Sequence, residues 1–529
     1  MKKALKVLLI GIISLLLLTG LTSLFISYIY SDTLQEKLVR EFKKQTNNSY
    51  SISISDIDLG FLSRSISIDS VRVEPTSNSK FRSISATSVS MNGIQWLSWW
   101  GQTVPNFSEI EVIGPRVEIV IPENYSFQSS QLRSDSSETA AMDSLDSFKF
   151  TLKNGSGVVI EDASDRELLS IDDISLQATQ VNLQQLLTQS EVFFLEGLTV
   201  NGAGIKWPLH DKYYEITIAD FSFDKNSESA TISDLNFIPT LPKYEFSRQR
   251  GYQLDRIHLE IPQMELRGFT LDSLVAKHFE LDTLSIQGAW MEVFRNKQIP
   301  RPEEESVKPL FYEIASSVDF SFGLNTTLVT TSDIIYEEHK PPSDSSGSVS
   351  FNDLSATLTD FRTIHHPKFN ETIFRWDVET LFMNTTPLSV QLEYPLYNIE
   401  NEHTVKVQLE SVDPREVGGM LRNVGFVEIE NGFVDGLDAE MYLNSKSASG
   451  EVLVEYRDLK VKFLNKDNPD NNGLKEGVKN FIANTFAINS NNTGNDAETG
   501  EIDFEREKNK SIFAYWWKSL LSGLKDVIQ

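Results

Sequence analysis

Seven histidines are the side chains in this sequence best suited to acid–base or metal chemistry: His210, His258, His278, His339, His365, His366 and His403. None stands at zinc-type spacing from a second ligand. His365 and His366 precede Pro367, where adjacent side chains diverge, so the pair is expected on a surface loop rather than on a metal. Asn468-Pro469-Asp470-Asn471-Asn472-Gly473 faintly resembles a calcium loop, but its closing position is Lys479 instead of a glutamate. Gly155-Ser156-Gly157 is too short for a nucleophile elbow. No phosphate-cradling glycine loop precedes a helix. The acid pairs Asp172-Asp173 and Glu337-Glu338 fall on opposite faces of a strand and read as solvated positions. Nothing points to the paired carboxylates of glycosidic cleavage. The chain has no cysteine, which removes disulfides, thiolate metal sites and cysteine nucleophiles together. The expectation is a protein that is not an enzyme and takes no cofactor.

The elements that would have to position any such residue are legible in the periodicity. Hydrophobic residues make up 40% of the 529 and aromatics 10%, enough to build extensive cores. The net charge of −27 repels nucleic acid. Lys2, Lys3 and Lys6 precede an uncharged run from Val7 to Tyr30. At about 24 residues this is long enough to span a bilayer, and no small-x-small cleavage site follows it. It reads as an uncleaved signal anchor in the inner membrane: residues 1–6 a cytoplasmic stub, 7–30 the span, the bulk of the chain exported to the periplasm. Ser31-Asp32-Thr33 can cap a helix within 31–48.

From Ser49 the period becomes two. Ser51–Ile54, Ser65–Ile68, Val117–Ile121, Glu215–Ile218, Ile257–Ile261, Asp319–Phe322, Val405–Leu409 and Ala439–Leu443 alternate apolar and polar, as half-buried strands do. Helical pattern is confined to Val181–Leu187, Lys308–Ser317, Pro414–Asn423 and Gly473–Ile488. A six-residue unit, apolar-x-x-apolar-x-apolar, also recurs. It is seen at Ile68–Val73, Phe107–Val112, Ile171–Leu176, Leu195–Val200, Ile218–Phe223, Ile232–Phe237, Leu281–Ile286, Phe351–Ala356 and Tyr456–Val461. In a straight strand positions i and i+3 face opposite ways. Keeping both on one apolar side requires an extra residue, a β-bulge that bends and twists the strand; the alternative is an ordinary strand–turn–strand corner. Twenty or more such strands cannot remain one flat compact sheet.

The fold expected is mainly β: an N-terminal transmembrane helix, then an elongated, curved antiparallel β-groove with a few short helices, then a C-terminal amphipathic helix. The groove halves are placed at 49–299, with a disordered insertion at about 126–147, and at 308–465, joined by the proline- and glutamate-rich linker Ile299–Glu305. A helix and polar loops occupy 466–508. In the tail, 509–529, Phe513, Trp516, Trp517, Leu520, Leu521 and Leu524 share one helical face. That face has two readings: it caps the end of the groove, or it lies in a membrane interface.

Several stretches in order resemble the AsmA-like proteins of the Gram-negative envelope. They are the anchor and short helix followed by SISISDIDLGFLSRSISIDSVRVEP, then FELDTLSIQGAWMEVFRNKQIPRP, then TSDIIYEEHKPPSDSSGSVSFNDLSATLTDF, and last FEREKNKSIFAYWWKSLLSGLKDVI. The resemblance implies a U-shaped β-groove lined with apolar side chains, with phospholipid acyl chains and the inner membrane as partners. Its function would be phospholipid transfer or outer-membrane lipid homeostasis. The runner-up is a non-enzymatic envelope assembly factor that binds outer-membrane or other envelope proteins. Residues expected to line the groove are Ile174, Leu176, Leu235, Phe237, Leu284, Ile286, Phe351 and Leu354.

Overall fold

The computed structural model describes residues 31–528 except 61, 77–80, 97–105, 122–146, 163, 182–194, 210–211, 271–272, 274–276, 304–305 and 465–488. The anchor at 7–30, nearly all of the insertion at 126–147, the calcium-like loop, and the helices expected after Val181 and at Gly473–Ile488 therefore lie outside the described residues. Strands account for 59% of the structure and helices for 15%. Among the described residues no helix is long and apolar enough to cross a membrane. The chain divides into two compact units, Met1–Ser233 and Asp234–Gln529.

The first unit opens with helix α1 (Ser31–Gln45), whose Leu38 and Phe42 are buried where the helix packs on β1 (Tyr50–Ser53) and β2 (Asp56–Gly60). β1 and β2 lie end to end along β3 (Ser65–Pro75), which pairs with β4 (Phe81–Asn92). β4 then takes both β5 (Glu109–Ile113) and β6 (Arg116–Ile121) antiparallel. β7 (Phe148–Glu161) runs parallel to both of these. β8 (Glu167–Val181), β9 (Thr199–Pro208) and β10 (Tyr214–Asp224) follow as antiparallel neighbours.

β11 (Ser229–Pro239) crosses the division between the units. The second unit continues with α2 (Lys243–Arg250), β12 (Asp255–Arg267), β13 (His278–Gln287) and β14 (Trp290–Asn296), then α3 (Phe311–Ser317) and β15 (Ser321–His339). The connection of the first unit is repeated: β12 pairs antiparallel with β13 and β14, and β15 runs parallel to both. From β15 the sheet is antiparallel through β16 (Gly347–Arg362), β17 (Ile373–Phe382), β18 (Thr386–Pro395), β19 (His403–Leu409), β20 (Val427–Leu443), β21 (Ser447–Phe463) and β22 (Thr499–Glu505). Helix α4 (Ile512–Ile528) packs on β20–β22.

The sheets are thus mixed, which corrects the expectation of a purely antiparallel arrangement. The cause is the long connection after β6 and after β14, each of which continues the strand before it past a glycine. Gly114 (φ +59°) and Gly288 (φ +71°) kink the chain between β5 and β6 and between β13 and β14, so that it continues in the same direction instead of reversing. The following strand must come back over a long connection, and then runs parallel. The Ile299–Glu305 linker belongs to the second such connection, so it lies inside the second unit rather than between units.

Six of the eight alternating segments lie wholly on strands; Ile54 falls just beyond β1, and Asp319 and Phe320 precede β15. The six-residue unit behaves as a bend. Ile68, Val71 and Val73 are all buried although Ile68 and Val71 are three apart, and Ser70 between them takes φ +52°. Gly197, Asp234, Asp353 and Asp458 take the same third place with φ between +47° and +59°. Glycine and aspartate enter this region more readily than bulky residues. At Asp353 and Asp458 the ladder register slips by one, which marks a bulge; at Ser70 the strand bends without a slip.

Candidate apolar-binding face

In the first unit, the ladder across β7–β10 brings apolar side chains into rows. Leu152, Leu176, Val200 and Phe223 are successive partners, as are Ile171, Ile205 and Ile218. Ile174 pairs with Gly202, over which the Phe221 ring lies so closely that a Cβ there would come within 2.3 Å of it. Gly204 (φ +67°) stands between Gly202 and Ile205 in the place that Ser70 holds before Val71. It therefore keeps both rows on one side of the sheet. These side chains are half-buried, and Trp207 at the end of β9 is 46% exposed. Under α1, by contrast, Ile66 is 2% and Val73 1% exposed.

In the second unit two longer rows cross the sheet. One runs Leu266, Leu284, Thr327, Leu358, Trp376, Leu392, Val405, Met441; the other runs Met264, Ile286, Val329, Ala356, Val378, Val390, Val407, Ala439, Val452. Phe351 pairs with Ile334 and Phe382 on the same side. The two ends of each row differ in exposure, although Thr327 and Ala356 within the rows are each 8% exposed. Leu284, Ile286, Leu358 and Trp376 are half-buried, whereas Leu392, Val405 and Met441 are each 1% exposed and Val452 is 0%. One end of this face is an open apolar surface and the other is a closed core.

The closure is α4. Tyr515, Trp516, Ser519, Leu520, Gly523 and Val527 are buried against the sheet. Gly523 and Gly500 approach so closely that a Cβ on Gly500 would meet the Gly523 carbonyl at 2.1 Å. Trp516 Nε1 donates to His403 Nε2 at 3.0 Å, and His403 Nδ1 donates to the Asn401 carbonyl at 2.7 Å. The His403 ring stacks on Tyr394 at 4.6 Å. Burial is the main reason that the His403 pKa is pulled down to about 4, so the ring is neutral. At the border between closed core and open face stands an aromatic group. Phe311 of α3 meets Phe374, Trp376 and Tyr394 at 5.2–5.4 Å, and Trp376 meets Trp516 at 5.8 Å.

The expected lining residues are distributed as follows. Ile174 and Leu176 lie on the first unit's apolar face; Leu284, Ile286, Phe351 and Leu354 lie on the second's; Leu235 and Phe237 lie on β11; all eight are half-buried. Of the tail residues, Trp516 and Leu520 are buried and Leu521 and Leu524 half-buried, while Phe513 and Trp517 are 61% and 56% exposed. The buried stripe is rotated from the most apolar one because the close approach to Gly500 places Gly523 and Val527 at the contact. Sequence reasoning did not single out the neighbours Ile205, Ile218 and Phe221, although Ile218 and Phe221 sit within one of the six-residue units.

Two polar expectations are corrected. His366 is not on an open loop: it is 4% exposed, and its Nε2 bonds Glu280 of β13. Burial raises the Glu280 carboxyl, but the His366 bond and the nearby His366, Arg362 and His278 charges outweigh it and hold the carboxyl below its usual range. Glu338 is likewise 4% exposed, held by Lys297 Nζ at 2.6 Å and by the Tyr336 hydroxyl at 2.8 Å. Its neighbour Glu337 binds Lys243 of α2 at 2.5 Å. Helix α2, whose Lys243 also reaches Glu292, covers this end of the sheet, so these acids pair with cations rather than face water. Among the described residues no group of three or more histidines and carboxylates could hold a metal ion.

No family model and no curated protein matches the chain.

Proposed function

We propose that this protein is an AsmA-like, inner-membrane-anchored periplasmic carrier, in which the apolar face of each unit is a stretch of curved β-groove that holds phospholipid acyl chains. The observation that carries this reading is the pair of half-exposed aliphatic faces on β7–β10 and β12–β17, next to parts of the same sheets that helices close completely. An acyl chain laid on such a face gains about 0.8 kcal/mol per buried CH₂. A continuous row therefore lowers the barrier for a lipid to leave a bilayer, without any catalytic group. Straight rows of Ile, Leu, Val and Phe suit a flexible hydrocarbon chain, which requires area and no directional bonds.

The reading is tested by fluorescent-phospholipid transfer between donor and acceptor vesicles, using the full chain and its Ile218→Asp and Ile286→Asp variants. A carboxylate on the face opposes an acyl chain, so transfer is expected to fall strongly. Because both side chains are already half-exposed, the loss in stability is expected to be about 1–2 kcal/mol. Unchanged transfer by both variants contradicts the reading. Co-purification of a stoichiometric envelope protein with no lipid favours the assembly-factor alternative.

A further inference from the structure

Three features of the first unit come to one end of its sheet. Helix α1 runs antiparallel to β1 and β2. Its C-terminal turn leads into β1 at Tyr50, and Gln35 Nε2 donates to the Ile54 carbonyl at 2.7 Å, so its first residue, Ser31, lies toward the far end of β2. At that end the β2–β3 turn carries Leu62, whose side chain is completely exposed. There too β4 ends, Asn92 standing opposite Ser65, and β5 begins, with Glu109 opposite Asn92. Arg64 ties the turn to the chain leaving β4. Its backbone carbonyl accepts from Ile94 N at 2.9 Å, and its guanidinium donates to the Ile94 and Gly93 carbonyls at 3.1 and 3.3 Å. Two residues later comes Trp96, half-buried, and Gln95 N bonds the Asn106 carbonyl at 2.9 Å to close the neck of this connection.

A leucine whose whole side chain stands free at the tip of a turn can enter hydrocarbon without leaving any packing contact. A tryptophan on the connection that Arg64 ties to this turn suits the boundary between water and hydrocarbon. The chain that enters α1 at this end arrives from the uncharged run Val7–Tyr30. We infer that this end of the first unit is a foot seated in the surface of the bilayer that the N-terminal run enters, with Leu62 and Trp96 inserted at the headgroup boundary. The inference rests on the anchor proposed above. Insertion is apolar rather than electrostatic. The chain carries a net charge of −27, which an anionic surface repels, and the Arg64 guanidinium is occupied by carbonyls.

Because the chain has no cysteine, single labels test this directly. An environment-sensitive dye is placed through Ser63→Cys, or through Lys44→Cys at the opposite end of α1, in the full chain reconstituted into phosphatidylethanolamine–phosphatidylglycerol vesicles. Lipids bearing a nitroxide near the headgroup serve as quencher. Strong quenching and a blue shift at position 63, with neither at position 44, are expected and persist at high salt. Adding Leu62→Asp is expected to abolish the quenching without shifting thermal unfolding. Equal, water-like signals at both positions in co-floating protein overturn the foot while leaving the anchor intact. Failure of the full chain to co-float overturns both. The readout is independent of lipid transfer, so failure of the carrier reading leaves a positive quenching result standing.

Discussion

His403 shows how one side chain fixes the end of a sheet. Neutral, it accepts from Trp516 and donates to Asn401; protonated, it cannot accept from the indole. Its pKa in the folded protein is about 4, against about 6.5 in an unfolded chain. Between those values the unfolded chain binds a proton that the folded one does not. The stability that His403 contributes is therefore complete above about pH 6.5 and is lost as the pH falls toward 4. The loss is on the order of 3 kcal/mol. Urea unfolding of the wild type at pH 6.5 and at pH 4.5 is expected to show a drop that His403→Gln largely lacks, since glutamine accepts a hydrogen bond and does not titrate. Equal drops in the two proteins contradict this account. Asp458 is a second single-residue case. Its φ is +51°, its backbone N–H is held by Asn491 at 2.9 Å, and its carbonyl accepts from Asn431 Nδ2 at 3.3 Å. Asp458→Val is expected to destabilise by about 1–2 kcal/mol and Asp458→Gly hardly at all, as denaturant midpoints would show.

At the scale of elements, strands were read easily because alternation survives in every segment that has one buried side. The six-residue unit also carried its own geometry, since two apolar residues three apart can share a side only if the strand bends. Other elements left no such trace. Helix α2, KYEFSRQR, has little apolar stripe: it is held by the single buried Phe246, by Tyr244 against Phe294 and His339, and by the Lys243 ion pairs with Glu292 and Glu337. The parallel pairings depend on what happens after Gly114 and Gly288 over connections of more than twenty residues, which local periodicity does not encode. Hydrophobicity alone does not pick out the face that α4 buries, because the sheet beneath it offers Gly500 as the point of closest approach. Gly500→Ala is expected to lift the helix, costing about 1–3 kcal/mol. The checks are a red shift of Trp516 emission and new protease cleavage between Arg506 and Ser511. An unshifted emission with intact resistance contradicts a tight glycine contact.

For the molecule, the central claim is that each of the two units presents aliphatic rows which helices leave uncovered in part. Composition pointed to extensive apolar surface and the resemblance to lipid, but which strands are open is a property of packing. α1 packs on β1 and β2 and α4 on β20–β22, while most of the apolar residues in the rows across β7–β10 and β12–β17 stay half-buried. The half-exposed face and its polar reverse differ by a single residue along each strand. That alternation sets up the most direct test: in-cell photocrosslinking from Ile218 and Ile286 on the apolar side and from Thr217 and Ser285 next to them. The account predicts phospholipid adducts at Ile218 and Ile286 and none at Thr217 and Ser285; adducts at all four positions alike, or at none, would contradict it.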